Sequence, residues 1–182
     1  MMFLLRMLMK SGRGRSMDPL HVSMTGVRMG ERFLMIGCHD KALLAGLASK
    51  VGLSGTSAVA ALDGGDAKRA RAIGGKVGAL IEIYDIDKGR TWPIEGDQFD
   101  MIVVDDTQDG FAGLDQGARA SCLSHALRAV RHGGRIEVIA RLKSDARGFD
   151  PVNELSGAGF KPVRVLAERD RYRFVEGLRP VR

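Results

Sequence analysis

Short unbroken apolar runs alternate along this chain with stretches in which apolar residues return every three or four positions. Residues 33–36, Phe-Leu-Met-Ile, run straight into Gly37, the pattern of a strand buried on both faces. Leu43, Leu44, Leu47 and Val51 then recur at helical spacing, with Asp40 placed to cap that helix and Gly52 to stop it. A second strand over 57–62 leads to Asp63, and an alanine-rich helix follows that is predicted to close at Gly74 and Gly75. A third strand over 79–84 precedes Asp85, and a fourth over 99–104 precedes Asp105 and Asp106. Leu123, Ala126, Leu127 and Val130 mark the apolar face of a helix ending at His132-Gly-Gly134, and a fifth strand over 135–140 follows directly.

The last thirty residues change character. A helix over 152–158 stops at Gly159, and two strands, 161–167 and 171–177, flank the charged turn 168–171 as a hairpin. Strands alternating with helices predict a mostly parallel sheet covered on both faces, and the hairpin adds an antiparallel edge.

Composition narrows the picture. At 182 residues one domain is expected, and 45% hydrophobic with 27% charged residues leaves no room for disorder beyond the first two dozen. A net charge of +6 favours an acidic partner surface, nucleic acid or anionic lipid, yet the Lys and Arg residues are scattered and form no basic block. Two cysteines, Cys38 and Cys122, exclude a disulfide scaffold and fit a reducing cytoplasm. The four histidines show no ligand spacing with them, so no metal is expected. Residues 1–10 are apolar but interrupted by Arg6 and reach only about half a transmembrane span. With no small-residue cleavage site behind them, they read as a short helix that packs on the domain or caps its cleft, or as a peripheral membrane contact. Residues 11–18 read as linker, which divides the chain into an N-terminal segment, 1–24, and one domain, 25–182.

The order strand, glycine, helix, strand, acid is what carries chemistry. It builds a nucleotide cleft in which Asp63 can accept both hydroxyls of a ribose while helix N-terminal amides receive the rest of a ligand. No G-x-G-x-x-G follows the first strand, which argues against a nicotinamide dehydrogenase.

These pieces together resemble the class I S-adenosylmethionine-dependent methyltransferases over roughly residues 25–178. The matching segments are Leu34-Met-Ile-Gly-Cys38, Ala60-Ala-Leu-Asp63, Gln98-Phe-Asp-Met-Ile-Val-Val-Asp105, Ala126-Leu-Arg-Ala-Val-Arg-His-Gly-Gly-Arg-Ile136 and Leu155-Ser-Gly-Ala-Gly-Phe160. The resemblance implies an α/β, Rossmann-like three-layer sandwich with a seven-stranded, mostly parallel sheet whose last strand inserts antiparallel. It implies S-adenosylmethionine as cofactor, held by Gly37, Cys38, His39, Asp63, Gly64, Asp85 and Asp105. Asp105 and Asp106 are expected to face the cleft where cofactor and substrate meet, as a base or as ligands of one divalent metal ion, for which residues 140–143 after the next strand offer no further ligand. His39 is a further candidate base.

The chain departs from the family pattern at Met35, where an acid is usual, and at His39 and Lys41, which replace glycines. A Cβ at those positions narrows the approach of backbone to ligand. Residues 105–109, Asp-Asp-Thr-Gln-Asp, lack the Pro-Pro-aromatic motif of adenine-N6 methylation, so nucleic acid is the less favoured partner. The expectation is a cytoplasmic methyltransferase acting on a small, apolar or quinone- or lipid-like acceptor. The alternatives are a methyltransferase-fold binding protein without turnover and an RNA methyltransferase.

Overall fold

Five helices and seven strands make up residues 19–86, 92–143 and 148–181, which the computed structural model describes. In chain order these are α1 (Pro19–Met24), β1 (Arg32–Ile36), α2 (Lys41–Val51), β2 (Thr56–Ala61), α3 (Gly64–Val77) and β3 (Ile81–Asp85). There follow β4 (Phe99–Asp106), α4 (Gln116–Ala129), β5 (Val130–Arg141), α5 (Pro151–Ala158), β6 (Val163–Arg169) and β7 (Tyr172–Leu178). The strands form one sheet in the order β3-β2-β1-β4-β5-β7-β6, with β7 antiparallel to both its neighbours.

Period-two alternation divides the core between the two faces. Leu34 and Ile36 of β1 pack in one cluster with Leu123 of α4 and Leu155 of α5. Phe33 and Met35, pointing the other way, pack with Leu43, Leu44, Leu47 and Val51 of α2 and Ile73 of α3. The three-layer sandwich is therefore as expected. The hairpin forms the expected antiparallel edge, with β7 inserted beside β5 and β6 outermost. Asp170 and Arg171, at φ 51° and 74°, make the left-handed turn that a two-residue hairpin requires.

Two boundaries differ from the periodicity reading. Helix α3 runs through Gly74 and Gly75 and ends at Gly78, whose φ of 68° makes it the left-handed cap. Gly74 is small for another reason, since a Cβ there would lie 3.1 Å from the Ala79 carbonyl. The turn at Gly133 and Gly134 sits within β5 as an irregularity, because β5 already pairs through Val130 with Phe99. A Cβ on Gly134 would meet Val130 Cγ2 at 2.7 Å. Helix α1, at the end of the N-terminal segment, docks on the domain: His21 is buried edge-on to Tyr172 and Phe174 of β7. Residues 1–10, with their cleft-capping or membrane role, lie outside the described residues.

Glu137 of β5 is buried directly opposite Glu176 of β7, and its Oε1 has no hydrogen-bond partner among the described residues. Burial first, then Glu176, push its carboxyl up to about 8, with Arg135 opposing, while Arg164 engages Glu176 itself. A glutamate that keeps its proton when folded and releases it near 4.5 when unfolded costs stability as pH rises between those values, ~1.4 kcal/mol per pH unit. Glu137→Gln is expected to flatten that slope, so that its melting-temperature advantage over the parent grows from pH 5 to pH 8.

Candidate active site

The sheet order reverses between β1 and β4: β1 feeds α2 on one face and β4 feeds α4 on the other, leaving a crevice at their carboxyl ends. Gly37 turns the chain there at φ 76°, with the Asp105 carbonyl 3.3 Å from where its Cβ would be. No other residue takes that conformation without strain. Cys38, His39 and Asp40 complete the turn, and Asp40 caps α2 as expected, its Oδ1 accepting from the amides of Ala42 and Leu43 at 3.0 and 3.1 Å.

Buried carboxylates hold this turn. Asp105 Oδ2 accepts from the amides of His39 and Asp40 at 2.7 and 2.6 Å, and its Oδ1 accepts from the Thr107 hydroxyl at 2.6 Å. Asp66 Oδ1 accepts from the Cys38 amide at 2.8 Å and its Oδ2 from the Leu62 amide at 3.0 Å, so one side chain ties the β1 turn to the end of β2. The Arg69 guanidinium balances it, donating to Asp66 Oδ1 at 2.7 Å and to the Cys38 carbonyl. Asp40 in turn lies 3.3 Å from His21 Nδ1, which couples α1 to the turn.

Asp63 stands apart from this buried set. Its Oδ1 caps α3 by accepting from the Asp66 amide at 2.9 Å, yet the side chain is 60% exposed. That amide bond, with help from Arg69 and His39, holds its carboxyl below the usual range, so it is ionised at neutral pH. Beside it Gly64 is open, with nothing within 4 Å of a Cβ. Asp85, exposed, pairs in register with Ala61, so Gly37, Asp63 and Asp85 follow one another across the ends of three adjacent strands.

Asp105 and Asp106 do not face the cleft. Both are fully buried. Asp106 Oδ1 anchors the loop after β4 through the amides of Phe111 and Ala112 at 2.9 and 2.8 Å. Burial, with smaller contributions from Asp109 and Asp105, pushes its carboxyl up to about 7 against those two amides. The pair is thus a structural anchor rather than a solvent-facing base. Among the described residues no group of His, Cys, Asp and Glu is arranged to hold a metal ion. Cys38 is buried and its thiol is pushed up to about 12, chiefly by burial and then by Asp105 and Asp66, which leaves no thiolate for chemistry. His39 keeps a quarter of its side chain exposed, and its ring packs on Gly110 so closely that a Cβ there would lie 2.4 Å from Cε1.

Asp66, Arg69, Thr107 and Gly110 join the site without having been singled out from the sequence. The one local signal was Asp66, an acid in the first turn of a helix already capped by Asp63. Beyond β4 a cavity of about 420 Å³ opens along Ala112, Leu114, Asp115, Gln116 and Arg119, within the range of small-molecule sites.

Asp66→Ala strands two buried amides and a guanidinium, and is expected to cost roughly 3–5 kcal/mol in urea unfolding. Asp63→Ala, which removes only an exposed cap, should cost about 1 kcal/mol.

No protein-family model matches the sequence, and no curated protein matches it. Solved structures do. One is a SAM-dependent methyltransferase from Aquifex aeolicus, with TM-score 0.70 and 19% identity over 89% of this chain and 94% of that one. An O-methyltransferase family protein from Burkholderia thailandensis gives TM-score 0.68 and 14% identity over 90% of this chain, which spans just over half (56%) of that longer one. The [4+2]-cyclase SpnF gives TM-score 0.67 and 13% identity, covering 90% of this chain and 79% of that one. With the strand order, the antiparallel β7 and the turn at Gly37, the chain has the fold of the class I S-adenosylmethionine-dependent methyltransferases.

Proposed function

We propose that the protein is an S-adenosylmethionine-dependent methyltransferase acting on a small acceptor with an apolar, quinone- or lipid-like body. The observation that carries this reading is Asp63: an ionised, solvent-facing carboxylate at the end of β2, one strand from the Gly37 turn. It fits the hydroxyls of a ribose, and Asp85 on the next strand end fits the adenine side. Gly64 leaves room beside them. When bound, the cofactor supplies a methyl group already activated by its sulfonium. The chain's own task is then to place an acceptor lone pair in line with it, which is work for position more than for acid or base. The cavity along Leu114, Asp115, Gln116 and Arg119 lies on the loop that leaves β4 and is proposed to take the acceptor's polar end, the Arg119 guanidinium being fixed by Glu154 at 2.7 Å. His39 has the exposure to take a proton from an acceptor hydroxyl and pass it to solvent.

A second reading, a binding protein without turnover, is favoured by one observation: the amides of the β1 turn are already bonded to Asp105 and Asp66. An RNA acceptor has less support, since the exposed arginines of β6 and β7 are paired with acids, Arg164 with Glu176 and Arg173 with Glu168. Among the described residues no helix is long and apolar enough to cross a membrane. We place the reaction in the cytoplasm, with residues 1–10 as the route to a membrane surface.

Calorimetric titration with S-adenosylmethionine and S-adenosylhomocysteine tests the reading. Saturable binding of both is expected, weakened about tenfold in Asp63→Asn, which keeps the helix cap but removes the charge. A folded protein that binds neither would end the enzyme proposal.

A further inference from the structure

The cleft suits the two halves of a sulfonium nucleoside unequally. The nucleoside half meets Asp63 and an open Gly64. The amino-acid half carries a carboxylate, which needs N–H donors, and a helix N-terminus beside a glycine turn is where they ordinarily lie. Here five of those donors are spent. The Cys38 amide bonds to Asp66, the His39 and Asp40 amides to Asp105, and the Ala42 and Leu43 amides to Asp40.

Two of these three acceptors cannot be displaced into water. Asp66 and Asp105 are fully buried, and Asp105 is further held by Thr107. Displacement from the turn would leave each buried carboxylate short of the amides that answer its charge. The neighbouring basic side chains are committed as well: Arg69 to Asp66 and the Cys38 carbonyl, and His21 Nδ1 to Asp40. Lys41, exposed at the first position of α2, and the partly exposed His39 are the other basic residues at the turn. Cys38 senses the resulting field, for Asp105, Asp66 and Asp40 all raise its thiol and Arg69 alone among the charges opposes them.

We infer that this cleft recognises a nucleoside thioether or sulfonium by its ribose and its positive charge, and offers nothing to an α-carboxylate. Asp105 is the residue that sets this preference. A nucleoside whose side chain ends in an amine alone therefore binds at least as tightly as one ending in an amino acid. The inference rests on the nucleoside reading of Asp63 proposed above.

The test is a calorimetric comparison, on the full chain, of S-adenosylhomocysteine with its decarboxylated counterpart, the 3-aminopropyl thioether of 5′-deoxyadenosine. The amine is expected to bind at least equally well, with an advantage of up to ~tenfold at low ionic strength that shrinks as salt screens the acidic turn. Asp63→Asn should weaken both ligands by the same factor. Binding of S-adenosylhomocysteine threefold or more tighter than the amine overturns the inference and leaves the enzyme proposal standing. That holds equally if the excess disappears in Lys41→Met, since the lysine would then be the carboxylate's partner. Failure of both ligands to bind overturns the inference together with the reading beneath it.

Discussion

The acceptance of two consecutive amides by the Asp105 carboxylate is the constraint on which the cleft depends. It joins the end of β4 to the turn after β1, the two strands between which the sheet reverses order. Without it, the amides of His39 and Asp40 would be left at the mouth of the crevice with no fixed direction. Buried, the carboxylate accepts from three amides and a hydroxyl. A side chain so satisfied is a rigid part of the wall.

Asp66 repeats the device one strand over, and the two together determine what kind of site this is. Oriented backbone N–H groups at a helix start normally present positive potential to a ligand. In this chain the same groups face inward, each answered by a carboxylate from the protein. The mouth of the crevice is thereby given over to acids, with Asp63 as the exposed member. That is the electrostatic complement of a cation, and it is compatible with a ligand bearing a positive sulfur.

What was legible in the sequence was whatever depends on near neighbours. The apolar run ending at Gly37, the helical spacing of Leu43 to Val51 and the cap at Asp40 all involve residues within one turn or strand. The buried carboxylates were not legible, because their partners lie far along the chain: Asp66 reaches back 28 residues to Cys38 and Asp105 reaches 66 residues to His39. Asp105 and Asp106 at a strand end look like cleft acids until the loop after β4 folds over them. Gly74 misled for a related reason. Its smallness answers the Ala79 carbonyl packed against it, a contact that a stop signal resembles when only local order is visible.

The place of β7 between β5 and β6 constrains how the sheet is assembled. Strand β6 is made before β7 but touches β5 only through it. Until residues 172–178 pair with it, β5 presents an open ladder of unpaired amides and carbonyls on that side. That open ladder is an edge able to pair with another chain, and a single seven-residue strand covers it.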